Sequence, residues 1–192
     1  KISSIAQVDK SMLMQSTDGI AENESENQSV SMIVPKTPEN MGDYIDLVSA
    51  ENGSNLEVKS GSVIITQKLA KLLDLKTGDT ITIKLSGHEE KEFKIGGVSK
   101  NYALHYIYIT PDDFESVYGE KPVYNPSFID LKKDTDENSF KEQLISNDEF
   151  YGISFKNDSS RGFLNSVDSL DAIVILLIVC AGDSDNKSAW IL

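Results

Sequence analysis

Residues Ala172–Ala181, Ala-Ile-Val-Ile-Leu-Leu-Ile-Val-Cys-Ala, run without a single polar side chain. Such a segment is apolar on all sides rather than along one stripe, so it needs lipid or a large core around it. Spanning a bilayer as a helix takes roughly 20 apolar residues, and by length alone this shorter run reads as a buried terminal helix or strand. Two neighbours pull the other way. Upstream, Phe163, Val167, Leu170 and Val174 recur at helical spacing, so one helix is expected to lead out of the preceding domain into the run, with Asp158 or Ser159 as its cap. Downstream, Asp183 to Ser188 stop it abruptly with no turn chemistry suited to a packed domain. The expectation is a domain over residues 1–171, the start of a transmembrane helix over 172–182, and a non-native tail over 183–192. The chain opens on Lys1 with no basic-then-apolar leader and reads as a trimmed fragment.

The charge balance narrows the function classes. Thirty-one acidic against 18 basic side chains leave a net charge of −13, which repels phosphate backbones and anionic headgroups. No Lys/Arg cluster with interleaved aromatics offsets this locally, so nucleic acid is not an expected partner. Cys180 is the only cysteine, which excludes an intrachain disulfide and a thiolate zinc site.

Periodicity organises the middle of the chain. Residues 17–29 are polar and acidic and are expected to be a mobile loop between a strand near Ile5–Gln15 and one at Ser29–Val34, the latter ended by Pro35 and Pro38. Short strands are expected at Tyr44–Val48 and Leu56–Val58 around the Asn52-Gly53 turn. Val63–Ile65 reads as a strand, after which Thr66 can cap a helix with Leu69, Leu72 and Leu73 on one face. Thr80–Leu85 and Glu92–Val98 form a hairpin around Ser86-Gly87-His88, and Tyr102–Ile109 a further strand. Thr110 then stands as N-cap, Pro111 at the first helical position and Asp113 as the capping-box acid, before a helix burying Phe114, Val117 and Tyr118 and ending at Gly119. A strand at Ser127–Lys132, a helix over 137–146 with Phe140, Leu144 and Ile145 inward, and a strand at 150–155 follow.

Gly61-Ser-Val-Ile-Ile-Thr-Gln-Lys-Leu-Ala-Lys-Leu-Leu-Asp-Leu-Lys-Thr-Gly-Asp-Thr-Ile-Thr-Ile83 resembles the extracytoplasmic domain of FtsX-like ABC transporter permeases, the MacB-type group. Phe93–Ile109, with Val98-Ser-Lys-Asn101-Tyr102 and His105-Tyr106-Ile107-Tyr108-Ile109, and Tyr124-Asn125 with the strand to Leu131 agree with it. The Leu75-Lys-Thr-Gly78-Asp79 turn by itself is shared with small double-psi barrels of unrelated function. The resemblance implies an α+β, two-lobed MacB-like periplasmic core domain. A β-rich lobe at 58–124 would be inserted into a lobe made of 1–57 and 125–160, and a C-terminal stalk helix would lead to a transmembrane segment. It also implies a non-catalytic extracytoplasmic part of a bacterial permease in the cell membrane, which contacts substrate or partner and relays ATP-driven motion. Its partners would be a cytoplasmic ATPase subunit, a second permease copy, and a peptide or lipid-like substrate. The alternative is a secreted or membrane-anchored surface binding protein. A third reading, an extracytoplasmic enzyme, would have only Asp and Glu as acid/base groups.

Candidate chemistry is sparse. His88 and His105 fall on a hairpin tip and a strand, and each reads as structural. There is no G-x-S-x-G elbow, and Cys180 sits where a thiolate is suppressed. The run Asp134-Thr-Asp136-Glu-Asn138 begins like a calcium loop but has Ser139 at the sixth position and Ile145 at the twelfth; acids complementing a helix N-terminus explain it. Gly96-Gly97 lacks the Gly-Lys-Ser/Thr of a phosphate loop. No catalytic residue, cofactor or metal is expected. Tyr102, Tyr106 and Tyr108, with Leu104 between, share one strand face that can either meet a peptide or lipid chain or pack beneath the helix of Phe114.

Overall fold

A computed structural model of the chain describes residues 5–23, 26–101, 104–146, 152–155 and 174–178. Period-two alternation builds most of it. Strand β1 (Val8–Glu22) is followed by β2 (Asn27–Pro35), the two pairing antiparallel from Met14 opposite Pro35 to Glu22 opposite Asn27. The loop expected at 17–29 is therefore a hairpin. A strand with one face in water needs apolar residues only at every second position; Ala21 and Val30 are buried while the residues on either side of each face outward, and composition averaged over both faces hides this.

β3 (Val63–Thr66) leads into the short helix α1 (Gln67–Leu72), then β4 (Thr80–Leu85), β5 (Glu90–Ser99) and β6 (Tyr106–Tyr108). These strands close on the hairpin. β1 pairs with β2, β2 with β6 in parallel, β6 with β3, β3 with β5 in parallel, β5 with β4, and β4 with β1, Gly19–Glu22 lying opposite Thr82–Leu85. The result is a six-stranded barrel without a free edge, which removes the unpaired backbone of an open sheet. Strands from residues 63–108 thus share a closed sheet with β1 and β2, which the expected division at residue 58 placed in the other lobe.

The barrel's interior is apolar and mostly aliphatic: Val30, Met32 and Val34 from β2, Val63 and Ile65 from β3, Ile81, Ile83 and Leu85 from β4, Phe93 and Ile95 from β5, and Ile107 from β6. Each fully buried aliphatic of this kind contributes roughly 1.5–3 kcal/mol. Leu69, Ala70 and Leu73 join this core, and so does Phe114 from α2 (Pro111–Tyr118). Leu72 is turned out and exposed, contrary to expectation, because α1 is under two turns long and buries only Leu69 and Ala70. Thr66 occupies the N-cap position of α1 but makes no side-chain cap hydrogen bond.

A second core lies outside the barrel. Ile33, Ile64 and Tyr108, from β2, β3 and β6, meet Met41, Tyr44, Leu47 and Val58 of the connection from residue 36 to 62, together with Met12, Met14 and Phe128. That connection holds a 3-10 turn at Pro38–Asp43 but, in place of the strands expected at 44–48 and 56–58, only isolated bridges from Val48 to Asn55 and from Ser49 to Ser99. Its apolar residues are anchors pressed onto the barrel wall rather than rungs of a ladder.

The first half of β1 leaves the barrel. Val8–Leu13 pair with β7 (Pro126–Leu131), which is followed by helix α3 (Glu137–Ile145), β8 (Gly152–Phe155) and β9 (Val174–Ile178). β9 lies between β7 and β8, antiparallel to both. Within α3, Phe140 and Leu144 are buried, whereas Ile145, expected inward, is 55% exposed at the last turn.

Within 172–182, where a membrane helix is expected to start, the described residues Val174–Ile178 form a strand. Val-Ile-Leu-Leu-Ile has no 3.6-residue periodicity, and a short apolar run suits a central strand paired on both sides as well as it suits a helix. Among the described residues no helix is long and apolar enough to cross a membrane. The stalk helix expected from Asp158 through Leu170 and the tail at 183–192 lie outside the described residues.

Candidate functional site

Three adjacent strands make the floor of a groove. Asp18, Gly19 and Ile20 of β1 are paired with Ser29–Ser31 of β2 on one side, and Gly19 and Ile20 with Lys84 and Leu85 of β4 on the other. The Ser86 amide donates to the Asp18 carbonyl at 2.9 Å, which continues the second ladder into the β4–β5 turn. Glycine is needed at 19: a Cβ there would stand 2.6 Å from the Lys84 carbonyl oxygen and 2.9 Å from Leu85 Cδ2. The walls are the turn Ser86-Gly87-His88, the approach to β6 at Leu104–Tyr106, and Lys68 on α1, and the volume of this open groove is about 630 Å³.

The groove mixes chemistries. Ile20 and Leu104 are 43% and 41% exposed, the apolar part of the lining. Asp18 Oδ1 accepts a hydrogen bond from Ser31 Oγ at 2.7 Å. The Tyr106 phenol is pushed up to about 12 by burial and, secondarily, by the Asp18 carboxylate, so at neutral pH it is an uncharged donor. His105 Nδ1 is 3.1 Å from the Ser29 carbonyl oxygen, which only accepts, so Nδ1 carries the proton. His105 Nε2 is buried without a hydrogen-bond partner. His88 contacts the Ser86 carbonyl through Nδ1 and Glu120 through Nε2, each at 3.0 Å, and sets its ring edge-on to Tyr118 at 4.9 Å. Both histidines line the groove, and among the described residues no group of His, Cys, Asp or Glu is arranged to hold a metal ion.

The tyrosine face expected to meet a partner is not presented as one surface. Tyr102 lies outside the described residues. Tyr106 is half-buried on the groove, with its ring 6.1 Å from that of Tyr108. Tyr108 is 1% exposed and belongs to the outer core, so it has no free face for a ligand. Its neighbour Ile107 points into the barrel, which turns Tyr108 outward beneath the 36–62 connection; the helix of Phe114 packs in the other core. Asp18, Ile20, Ser31 and Lys68 were not among the expected site residues. A loop reading of 17–29 conceals the first two, although Gly19 and Ala21 alternating with Asp18 and Ile20 is the pattern of a strand with small inner residues.

The acidic segments serve as caps. Asp136 is the N-cap of α3 and accepts from the Ser139 amide and hydroxyl, which hold its carboxyl below the ordinary range. Asp113 accepts from Ser60 Oγ at 2.7 Å, the Gly61 amide at 2.9 Å and Thr110 Oγ1 at 2.9 Å, tying α2 to the entry of β3.

No family model matches the sequence, and no curated protein does. Two solved structures are similar to this chain. One is the extracellular domain of the noncanonic ABC-type transporter YknZ from Gram-positive bacteria, at a TM-score of 0.47 and 15% identity, covering 90% of this chain and 83% of that one. The other is the periplasmic region of MacB from Actinobacillus actinomycetemcomitans, at a TM-score of 0.43 and 15% identity, covering 76% of this chain and 70% of that one.

Proposed function

We propose that this chain is the non-catalytic extracytoplasmic domain of a bacterial ABC transporter permease. In this reading it stands outside the cell membrane, contacts a substrate or partner, and relays motion driven by a cytoplasmic ATPase subunit. The observation that supports it most directly is where the resembling stretches fall. Gly61–Ile83 holds β3, α1 and the start of β4, Phe93–Ile109 most of β5 and all of β6, and Tyr124–Leu131 β7. They are framework strands and a helix, the kind of elements through which a domain that binds and transmits would pass motion.

β1 suits it to a relay. One strand runs from the β7–β9–β8 sheet into the barrel wall, so a displacement of the first is carried into the second through continuous backbone hydrogen bonds. Membrane spans and a second permease copy would belong to the longer protein. The test is to read the encoding gene past residue 192 and purify its full product from membranes. Several further apolar spans and a co-purifying ATPase are expected; a gene that ends after one span, with no ATPase, points instead to a surface-anchored binding protein.

A further inference from the structure

The groove over Gly19 has features that a mechanical relay does not use, and they stand whether or not the chain belongs to a transporter. Its floor offers no open strand edge, because β1 is paired there to β2 on one side and to β4 on the other. An extended peptide laid on it would leave its own amides and carbonyls desolvated without ladder partners, at a cost for each group. An alkyl chain carries no such groups, and Ile20 and Leu104 give it apolar surface.

The charges point to the other end of the ligand. In a chain of net charge −13 the groove has two lysines, Lys68 and Lys84, against one carboxylate, Asp18. Asp18 is engaged by the Ser31 hydroxyl. Lys84 is paired only at 3.5 Å with Glu90, both side chains more than half exposed, an arrangement worth little. Lys68 is exposed and has no ion-pair partner among the described residues. A volume of about 630 Å³ is in the range of small-ligand sites. We infer that this groove binds an acyl-chain anion, a monocarboxylate whose alkyl chain lies over Ile20 and Leu104 and whose head group meets Lys68 and Lys84.

The test is amide NMR of the ¹⁵N-labelled chain titrated with decanoate, decyltrimethylammonium and N-acetyl-leucyl-leucine, for the parent, Lys68→Glu and Leu104→Ser. Both substitutions are at exposed positions, and unchanged signals from the barrel interior show that each variant is folded. Decanoate should shift the amides of Gly19, Gly87 and Leu104. Lys68→Glu should weaken decanoate about tenfold while strengthening the cationic analogue, and Leu104→Ser should weaken both. Equal affinity for the cation in the parent, no effect of Lys68→Glu, tighter binding of the dipeptide, or shifts confined to other surfaces would each overturn the inference.

Discussion

Tyr118, at the last position of α2, is the sharpest place to test the packing. Its hydroxyl is buried without a hydrogen-bond partner, while its ring lies 4.9 Å from those of Phe114 and His88 and 6.2 Å from that of Phe93. Tyr118→Phe keeps every ring contact and removes only the orphaned oxygen. Leaving a buried polar group unpaired costs about 1–3 kcal/mol. Because the rest of the residue is only partly buried, we expect the lower end, a gain of about 1 kcal/mol, or about 2–4 °C in Tm for a chain of this size. Alkaline solution adds a second readout. Burial holds the folded-state phenol at about 12 against an ordinary 10.0, so the unfolded chain ionises first, and the parent's stability is whole below pH 10 and lost as pH rises through 12. Phenylalanine has no proton to lose, so the variant's advantage should widen across that window. Urea unfolding followed by circular dichroism at pH 7 and again between pH 10 and 12 measures both. A variant less stable than the parent at pH 7 by more than about 0.5 kcal/mol refutes the reasoning, since the hydroxyl must then have a partner.

Gly19→Ala should cost about 1–3 kcal/mol in urea unfolding, because its Cβ meets the backbone of Lys84. Gly42→Ala, with nothing within 4 Å of the new methyl, should stay within about 0.5 kcal/mol of the parent. Asp113→Ala, which strips acceptors from Ser60, Gly61 and Thr110, should cost about 1–3 kcal/mol and speed hydrogen exchange at the Gly61 amide. Asp136, its folded-state pKa lowered by Ser139, adds stability that is present above the ordinary 3.8 and is lost as pH falls through the folded value. Asp136→Asn should therefore flatten the acid limb of the stability profile, which a melting series below pH 5 would show.

Local chemistry was readable from residue order wherever it was self-contained. Thr110 caps α2 through its hydroxyl to the Asp113 amide, and Gly119 ends it with φ +74°, as the intervening residues require. The 80–98 hairpin is equally plain, since Ile81, Ile83 and Leu85 alternate toward one core. What residue order concealed depends on distant partners. Residues 17–22 are a strand because β4 and β2 flank them, and Tyr108 is covered because a connection far from it in sequence folds over its face. Val174–Ile178 suits a helix or a strand until β7 and β8 stand on either side. The groove draws on β1, β2, α1, the β4–β5 turn and the approach to β6, so no local motif announces it.

The double membership of β1 also sets an order of events in time. Its first half waits for β7, with Val8 opposite Leu131, and its second half waits for β4, so on a growing polypeptide the earliest strand is among the last to be completed. Until residue 85 has been made, only the β2 side of the hairpin can be filled. An edge left open that long invites pairing with another nascent chain. Asp18, Glu22 and Glu26, together with the polar residues between them, make this hairpin a poor template for such an encounter. The acidity that makes residues 17–29 look like a loop in composition then acts as protection during synthesis.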